Sequence, residues 1–144
     1  MTAGGGREGF TRKVARDRGP TASAWELRVQ LWTERSLSLE TAYLGALSTQ
    51  LVTTTLETNL RANLRPGWWQ PFAVLGVGWR RHDARTTKEE DNTIEFPLGL
   101  GLQVSEGAWR ADARFTYRLT EGFELIGDTS LDTWAVTVRV GRAL

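Results

Sequence analysis

The run 94-IEFPLGLGLQV-104 decides the fold. Ile94, Phe96, Leu98, Leu100, Leu102 and Val104 fall at every second position, and Glu95, Pro97, Gly99, Gly101 and Gln103 fill the places between. A period of two is that of an extended strand, whose successive side chains point to opposite faces. One face of this strand is apolar over its whole length, and that length well exceeds the globular mean of about 5–6 residues.

The same alternation continues on both sides. Trp109, Ala111, Ala113, Phe115, Tyr117 and Leu119 oppose Arg110, Asp112, Arg114, Thr116 and Arg118, and Trp134, Val136, Val138 and Val140 oppose Ala135, Thr137, Arg139 and Gly141. Toward the N-terminus, Ala73, Leu75, Val77 and Trp79 alternate with Phe72, Val74, Gly76 and Gly78. Leu56, Thr58, Leu60 and Ala62 face away from Glu57, Asn59, Arg61 and Asn63. Leu37, Leu39, Thr41 and Tyr43 alternate with Ser38, Glu40 and Ala42, and Trp25, Leu27, Val29 and Leu31 with Glu26, Arg28 and Gln30. Helix-period stripes are weak throughout. The reading is seven strands, most of about 10–12 residues.

The connections alternate in length. Thr33–Ser36, Arg65–Gln70 (with Pro66-Gly67) and Ser105–Ala108 (with Glu106-Gly107) are short, whereas Gly45–Val52, Arg81–Asn92 and Thr120–Leu131 are longer. This predicts an antiparallel up-and-down meander with one trimmed end and one decorated end, the asymmetry of transmembrane barrels. Sorted by end, Trp32, Trp68, Trp69 and Trp109 fall at the short turns, and Trp25, Trp79, Trp134 and Tyr117 toward the long loops. Indole and phenol rings favour the two membrane interfaces, where an apolar body and a wet polar tip are both satisfied. These eight side chains are therefore the candidate interface aromatics, in two girdles around an aliphatic band.

The opposite face carries Glu26, Arg28, Glu40, Glu57, Arg61, Glu95, Arg110, Asp112, Arg114 and Arg139, with Gly76, Gly78, Gly99 and Gly101 in the same phase. In a soluble barrel these glycines would weaken strands for no gain. In a small lipid-embedded barrel they make room in a narrow lumen, where mixed-sign charges pair as a ladder. The expected fold is an all-β, antiparallel up-and-down transmembrane barrel of eight strands.

Composition bounds the chemistry. The chain has 144 residues, enough for one domain. It has no cysteine, one histidine, seven tryptophans and 18 basic against 17 acidic residues, for a net charge of +1. Thiolate and His-pair metal sites are thereby excluded, and the charge balance gives no ground for a nucleic-acid partner. The lone His82 is expected in the polar Arg81–Asn92 loop rather than as a base. Gly76-Val77-Gly78 and Gly99-Leu100-Gly101 open no helix and have no third glycine, so they are not dinucleotide loops. No catalytic residue, metal site or cofactor is expected.

Barrels in bacterial outer membranes have an even strand number, and an open edge in lipid leaves unpaired backbone groups. An eighth strand must therefore precede Ser23. Residues 1–22 form a Gly/Arg-rich segment without the apolar core of a signal peptide. Within it, Gly6–Val14 is the candidate strand and Lys13–Ala22 its loop; the alternative is a chain that begins late in a longer gene. The barrel proper is expected over 23–144.

The stretches Leu37–Ala46, Leu56–Leu64, Pro71–Asp83, Ile94–Gln103, Arg110–Thr120 and Thr133–Leu144 together resemble the small outer-membrane β-barrel proteins of Gram-negative bacteria, of the OmpA-like type. The ordered combination of a G-x-G strand, a polar loop, P-L-G-x-G-L and D-A-R-x-T-Y carries the resemblance. It implies an eight-stranded outer-membrane barrel without catalysis, embedded in lipid, inserted by the barrel-assembly machinery and acting as a monomer. Leu144 departs from the aromatic final residue common in such proteins. The expected role is structural or surface-interacting through the long loops, or that of a narrow porin-like pore. The competing reading is a soluble lipocalin- or avidin-like barrel whose apolar face lines a ligand cavity.

Overall fold

The computed structural model describes residues 1–10, 21–33, 36–48, 51–84, 90–120 and 132–142. They form eight strands: β1 (Thr2–Phe10), β2 (Ala22–Thr33), β3 (Leu37–Leu47), β4 (Leu51–Asn63), β5 (Trp69–Ala84), β6 (Glu90–Glu106), β7 (Trp109–Thr120) and β8 (Thr133–Arg142). Each pairs antiparallel with its sequence neighbours, and β1 closes on β8 in a barrel without free edges. Closure satisfies the backbone donors and acceptors that an open sheet would leave bare. From Thr2, the register runs through Arg28, Ala42, Glu57, Gly78, Glu95 and Thr120. Continued through β8, it rejoins β1 about ten residues further on, the stagger that tilts eight strands by about 40°.

Two rims result. The terminal rim holds Met1, Arg142 and the turns after β2, β4 and β6; the loop rim holds the other four connections. Gly107, with φ of 57°, supplies the left-handed residue of the β6–β7 turn. A register shift between Gln30 and Trp32 bulges β2 near the terminal rim.

The first described strand is Thr2–Phe10, which starts four residues before the expected Gly6–Val14, so the barrel begins before residue 23; residues 11–14 of that expected strand and 13–20 of the expected loop Lys13–Ala22 lie outside the described residues. Two of the expected long connections are largely strand. Only residues 48–50 separate β3 from β4, and β5 and β6 reach Ala84 and Glu90, so the expected loop Arg81–Asn92 shrinks to residues 85–89. His82 is consequently a strand residue, paired across to Thr53 and buried. Of the expected loop Thr120–Leu131, Thr120 ends β7 and the remainder lies outside the described residues.

The two phases separate completely in space. Leu100 is 64% exposed and Val138 57% on the outer face, while Arg139 at 1% and Glu95 at 0% are sealed inside. Inward glycines make the room. A Cβ at Gly101 would overlap the Phe72 ring and the Ala113 carbonyl, and one at Gly76 would overlap the Asn59 side chain. Phe72, a large ring in the inward phase, fits only because Gly101 faces it across the β5–β6 pair.

Candidate functional site: a filled lumen between two aromatic rims

The inward phase of the strands collects charge. Glu8, Glu26, Glu40, Glu57, Glu95 and Asp112 are buried, and so are Arg28, Arg61, Arg80, Arg114, Arg118 and Arg139. Among the described buried residues, six acids meet six guanidinium groups and their formal charges balance. A buried charge is tolerable only when paired and hydrogen-bonded, and here every one of these groups belongs to a single connected network. Arg139 binds Asp112 and reaches Glu26 at 2.7 Å. Arg28 donates to Glu26 at 2.5 Å, to Glu40 at 2.7 Å and to Glu57 at 2.7 Å. Glu40 also receives Arg114 at 2.7 Å and Arg61 at 3.3 Å.

Glu57 then passes the chain upward to Arg118 at 3.4 Å. Glu95 stands 3.2 Å from Arg118 and 2.8 Å from Arg80, and Arg80 donates to Glu8 at 2.5 Å. The half nearer the loop rim is less tightly directed. Glu95 meets both arginines at ion-pair distance without the alignment of a hydrogen bond, and Arg118 Nη1 has no acceptor. In the other half the guanidinium groups of Arg61 and Arg114 both lie over the Phe72 ring, 3.8 Å and 5.1 Å from its centroid, as cation–π contacts.

Of the charges singled out in the sequence, Glu26, Arg28, Glu40, Glu57, Arg61, Glu95, Asp112, Arg114 and Arg139 are thus brought together. Arg110 is half-buried at the terminal mouth, where it donates to Gln30 at 2.9 Å. Sequence reasoning missed Glu8, Arg80 and Arg118. Arg118 sits in the same alternating phase as Arg110, Asp112 and Arg114, and that phase alone marks it as inward. The free space at this mouth is about 20 Å³, the room of a single water molecule.

The outer surface carries the aromatic side chains. Trp25, Trp68, Trp79 and Trp109 are exposed, and Trp69, Tyr117 and Trp134 are half-exposed. Trp32 lies at the terminal-rim end of β2, its side chain outside the described residues. Because each strand is staggered on the next, a level line around the barrel steps along the register. Near the loop rim that line passes close to Trp25, Tyr43, Trp79, Tyr117 and Trp134. Trp25 and Tyr43 touch, with ring centroids 5.3 Å apart, and the Tyr117 hydroxyl donates to Asp132 at 3.2 Å. Near the other rim, Arg65 lies over Trp69 at 4.9 Å. Along β5, Trp69 and Trp79 stand about 25 Å apart on the barrel axis, taking about 3.3 Å per residue and a tilt of about 40°.

Among the described residues no cluster of His, Asp and Glu could hold a metal ion. The His82 Nδ1 lies 3.4 Å from the Thr53 hydroxyl, both inside the barrel wall.

No family model matches the chain, and no curated protein matches it. Solved structures do. The N-terminal β-barrel domain of Pseudomonas aeruginosa OprF superposes with a TM-score of 0.72 at 12% identity, covering 98% of this chain and 93% of that one. Neisserial surface protein A gives 0.76 at 9% identity, covering 96% and 94%. The outer membrane enzyme PagL gives 0.66 at 10% identity, covering 96% and 98%. The fold is that of the small outer-membrane eight-stranded barrels, a closed antiparallel barrel without helices among the described residues.

Proposed function

We propose that the chain is an integral barrel of a bacterial outer membrane, serving as a membrane-embedded scaffold whose loop rim meets partners outside the cell. One observation carries the reading: the charges are inside and the apolar side chains outside. Leu, Val, Ile and Phe side chains form a continuous outer band, and the interior holds six acidic and six basic side chains. Water would punish such a surface, since soluble monomers rarely expose apolar patches beyond a few hundred Å². Hydrocarbon rewards it, and the band between the aromatic rings matches the apolar height of about 25 Å typical of these barrels. The soluble ligand-binding alternative needs the apolar phase to line a cavity, and that phase points outward. A pore finds less support than a scaffold, because guanidinium–carboxylate contacts cross the lumen from the Asp112 level to the Glu8 level.

One fold neighbour is an enzyme, so catalysis is judged on side chains alone. His82 and Thr53 are buried against each other, which supports a non-catalytic reading. The reading is tested by refolding the protein with and without lipid vesicles. Folding that requires vesicles or detergent is expected, seen as a heat-dependent shift in gel mobility. A monodisperse folded protein in plain buffer would sink the membrane assignment.

A further inference from the structure

Resting on the membrane reading above, we propose that the outer face of β1 binds a phosphate-bearing lipid, Arg7 gripping the headgroup and the trough below it seating an acyl chain. The outward residues of β1 are Ala3, Gly5, Arg7 and Gly9, whereas each of the other strands directs at least one bulky aliphatic or aromatic side chain outward at these levels. Gly5 pairs with Trp25 on one side and Val138 on the other, and Ala3 with Leu27 and Val140. The side-chain ridges of β2 and β8 therefore stand two strand spacings apart, about 10 Å, over a floor of bare backbone. That width suits one hydrocarbon chain.

Arg7 marks the polar end of this trough. It pairs with Ser23 and Val136, which places Trp25 two residues toward the terminal rim on β2 and Trp134 two residues toward the loop rim on β8. With the stagger of the strands, Trp25, Arg7 and Trp134 stand at nearly one height, so the guanidinium lies in the aromatic ring where headgroups would lie. Trp134 folds over Gly9, where a Cβ would come within 2.9 Å of the indole, and so roofs the trough above Arg7. Among the described residues Arg7 has no carboxylate partner, unlike the six arginines of the lumen. An exposed guanidinium in that position is matched by a phosphate, which accepts its fork of donors in pairs.

The trough is not a by-product of backbone packing. A Cβ at the inward Gly4 or Gly6 would overlap the neighbouring β8 backbone, but one at Gly5 meets only the Ala24 carbonyl oxygen, at an ordinary 3.4 Å. A side chain could be placed at Gly5, and the sequence leaves it out.

The test uses tryptophan quenching in phosphatidylcholine bilayers containing a minor fraction of either brominated-chain phosphatidic acid or brominated-chain phosphatidylcholine. The wild-type protein is expected to prefer the phosphatidic acid about fivefold, the scale of one Arg at an anionic surface. Arg7→Gln is expected to bring that ratio to about one. Gly5→Leu, which fills the trough and keeps the charge, should lower it as well. Arg81→Gln removes the same charge on β5, four strands away, and should leave it unchanged. The proposal is overturned if Arg7→Gln keeps the wild-type ratio, if Arg81→Gln loses as much as Arg7→Gln, or if Gly5→Leu has no effect. Absence of quenching by either lipid would instead remove the membrane reading and this site with it, which separates the two failures.

Discussion

Arg28 touches three carboxylates, those of Glu26, Glu40 and Glu57, and is 3% exposed. Removing it leaves buried negative charge without its counter-ion, a loss of about 3–5 kcal/mol for one broken buried pair. Arg28→Met is therefore expected to lower the urea stability of the lipid-folded protein by at least that much. Arg110→Met, at the wet mouth with Gln30 as partner, is expected to cost less than about 1 kcal/mol. Equal costs for the two would mean that the lumen is hydrated enough to screen its own pairs. At this scale the sequence is informative where bulky apolar residues mark one phase, since their alternation separates inward from outward positions even for charged side chains. It falls silent at Glu8, because the outward partners in β1 are Ala, Gly and Arg and leave no apolar period to follow. It misleads at His82, where polar residues continue a strand past the aromatic ring and read as loop, and it leaves Arg80 unassigned between the alternating run and that loop.

The strand pair β5–β6 holds both the clearest signal and the largest departure from it. Its alternating core, Ala73 to Trp79 against Ile94 to Val104, sets the register without ambiguity, because a slip of one residue would exchange the lipid and lumen faces. Its length, Trp69–Ala84 and Glu90–Glu106, exceeds what periodicity predicts. The excess lies in segments such as Arg80–Asp83, where both faces are polar and backbone pairing with β4 and β6 is joined by side-chain contacts such as those of Arg80 with Glu8 and Glu95. Leu100 tests the assignment of faces. It is outward, at the middle of the band, between Leu98 and Leu102. Leu100→Arg is expected to cost about 2–4 kcal/mol in bilayer folding, the penalty for a guanidinium at the midplane. The same substitution at Asn92, outward on the same strand but beyond the aromatic ring, is expected to cost about 0–1 kcal/mol. If both were harmless in titrations of folding into vesicles, the outer band would not be facing hydrocarbon.

For the molecule as a whole, the twelve buried charged side chains form one joined network across the lumen. The half near the terminal rim centres on Arg28 and Glu40, and the half near the loop rim runs from Glu57 through Arg118, Glu95 and Arg80 to Glu8. The Arg28–Glu57 contact at 2.7 Å links the two. A conducting path would have to part these pairs, and each guanidinium–carboxylate contact in a low-dielectric lumen resists separation by several kcal/mol on the order-of-magnitude scale of buried pairs. The open state of the intact network is then populated well below one part in a hundred, since each ~1.4 kcal/mol removes a factor of ten. In planar bilayers the wild-type barrel is expected to hold a flat baseline. Removing both partners of the link, Arg28→Ala with Glu57→Ala, keeps the lumen neutral and takes out its two central side chains. This double variant, once shown to fold by gel mobility, is expected to admit small discrete current steps. Frequent openings in the wild type would mean that the ion pairs exchange partners readily and that the lumen is a channel. A double variant as silent as the parent would place the seal elsewhere, in the cluster of Phe72 with Arg61 and Arg114.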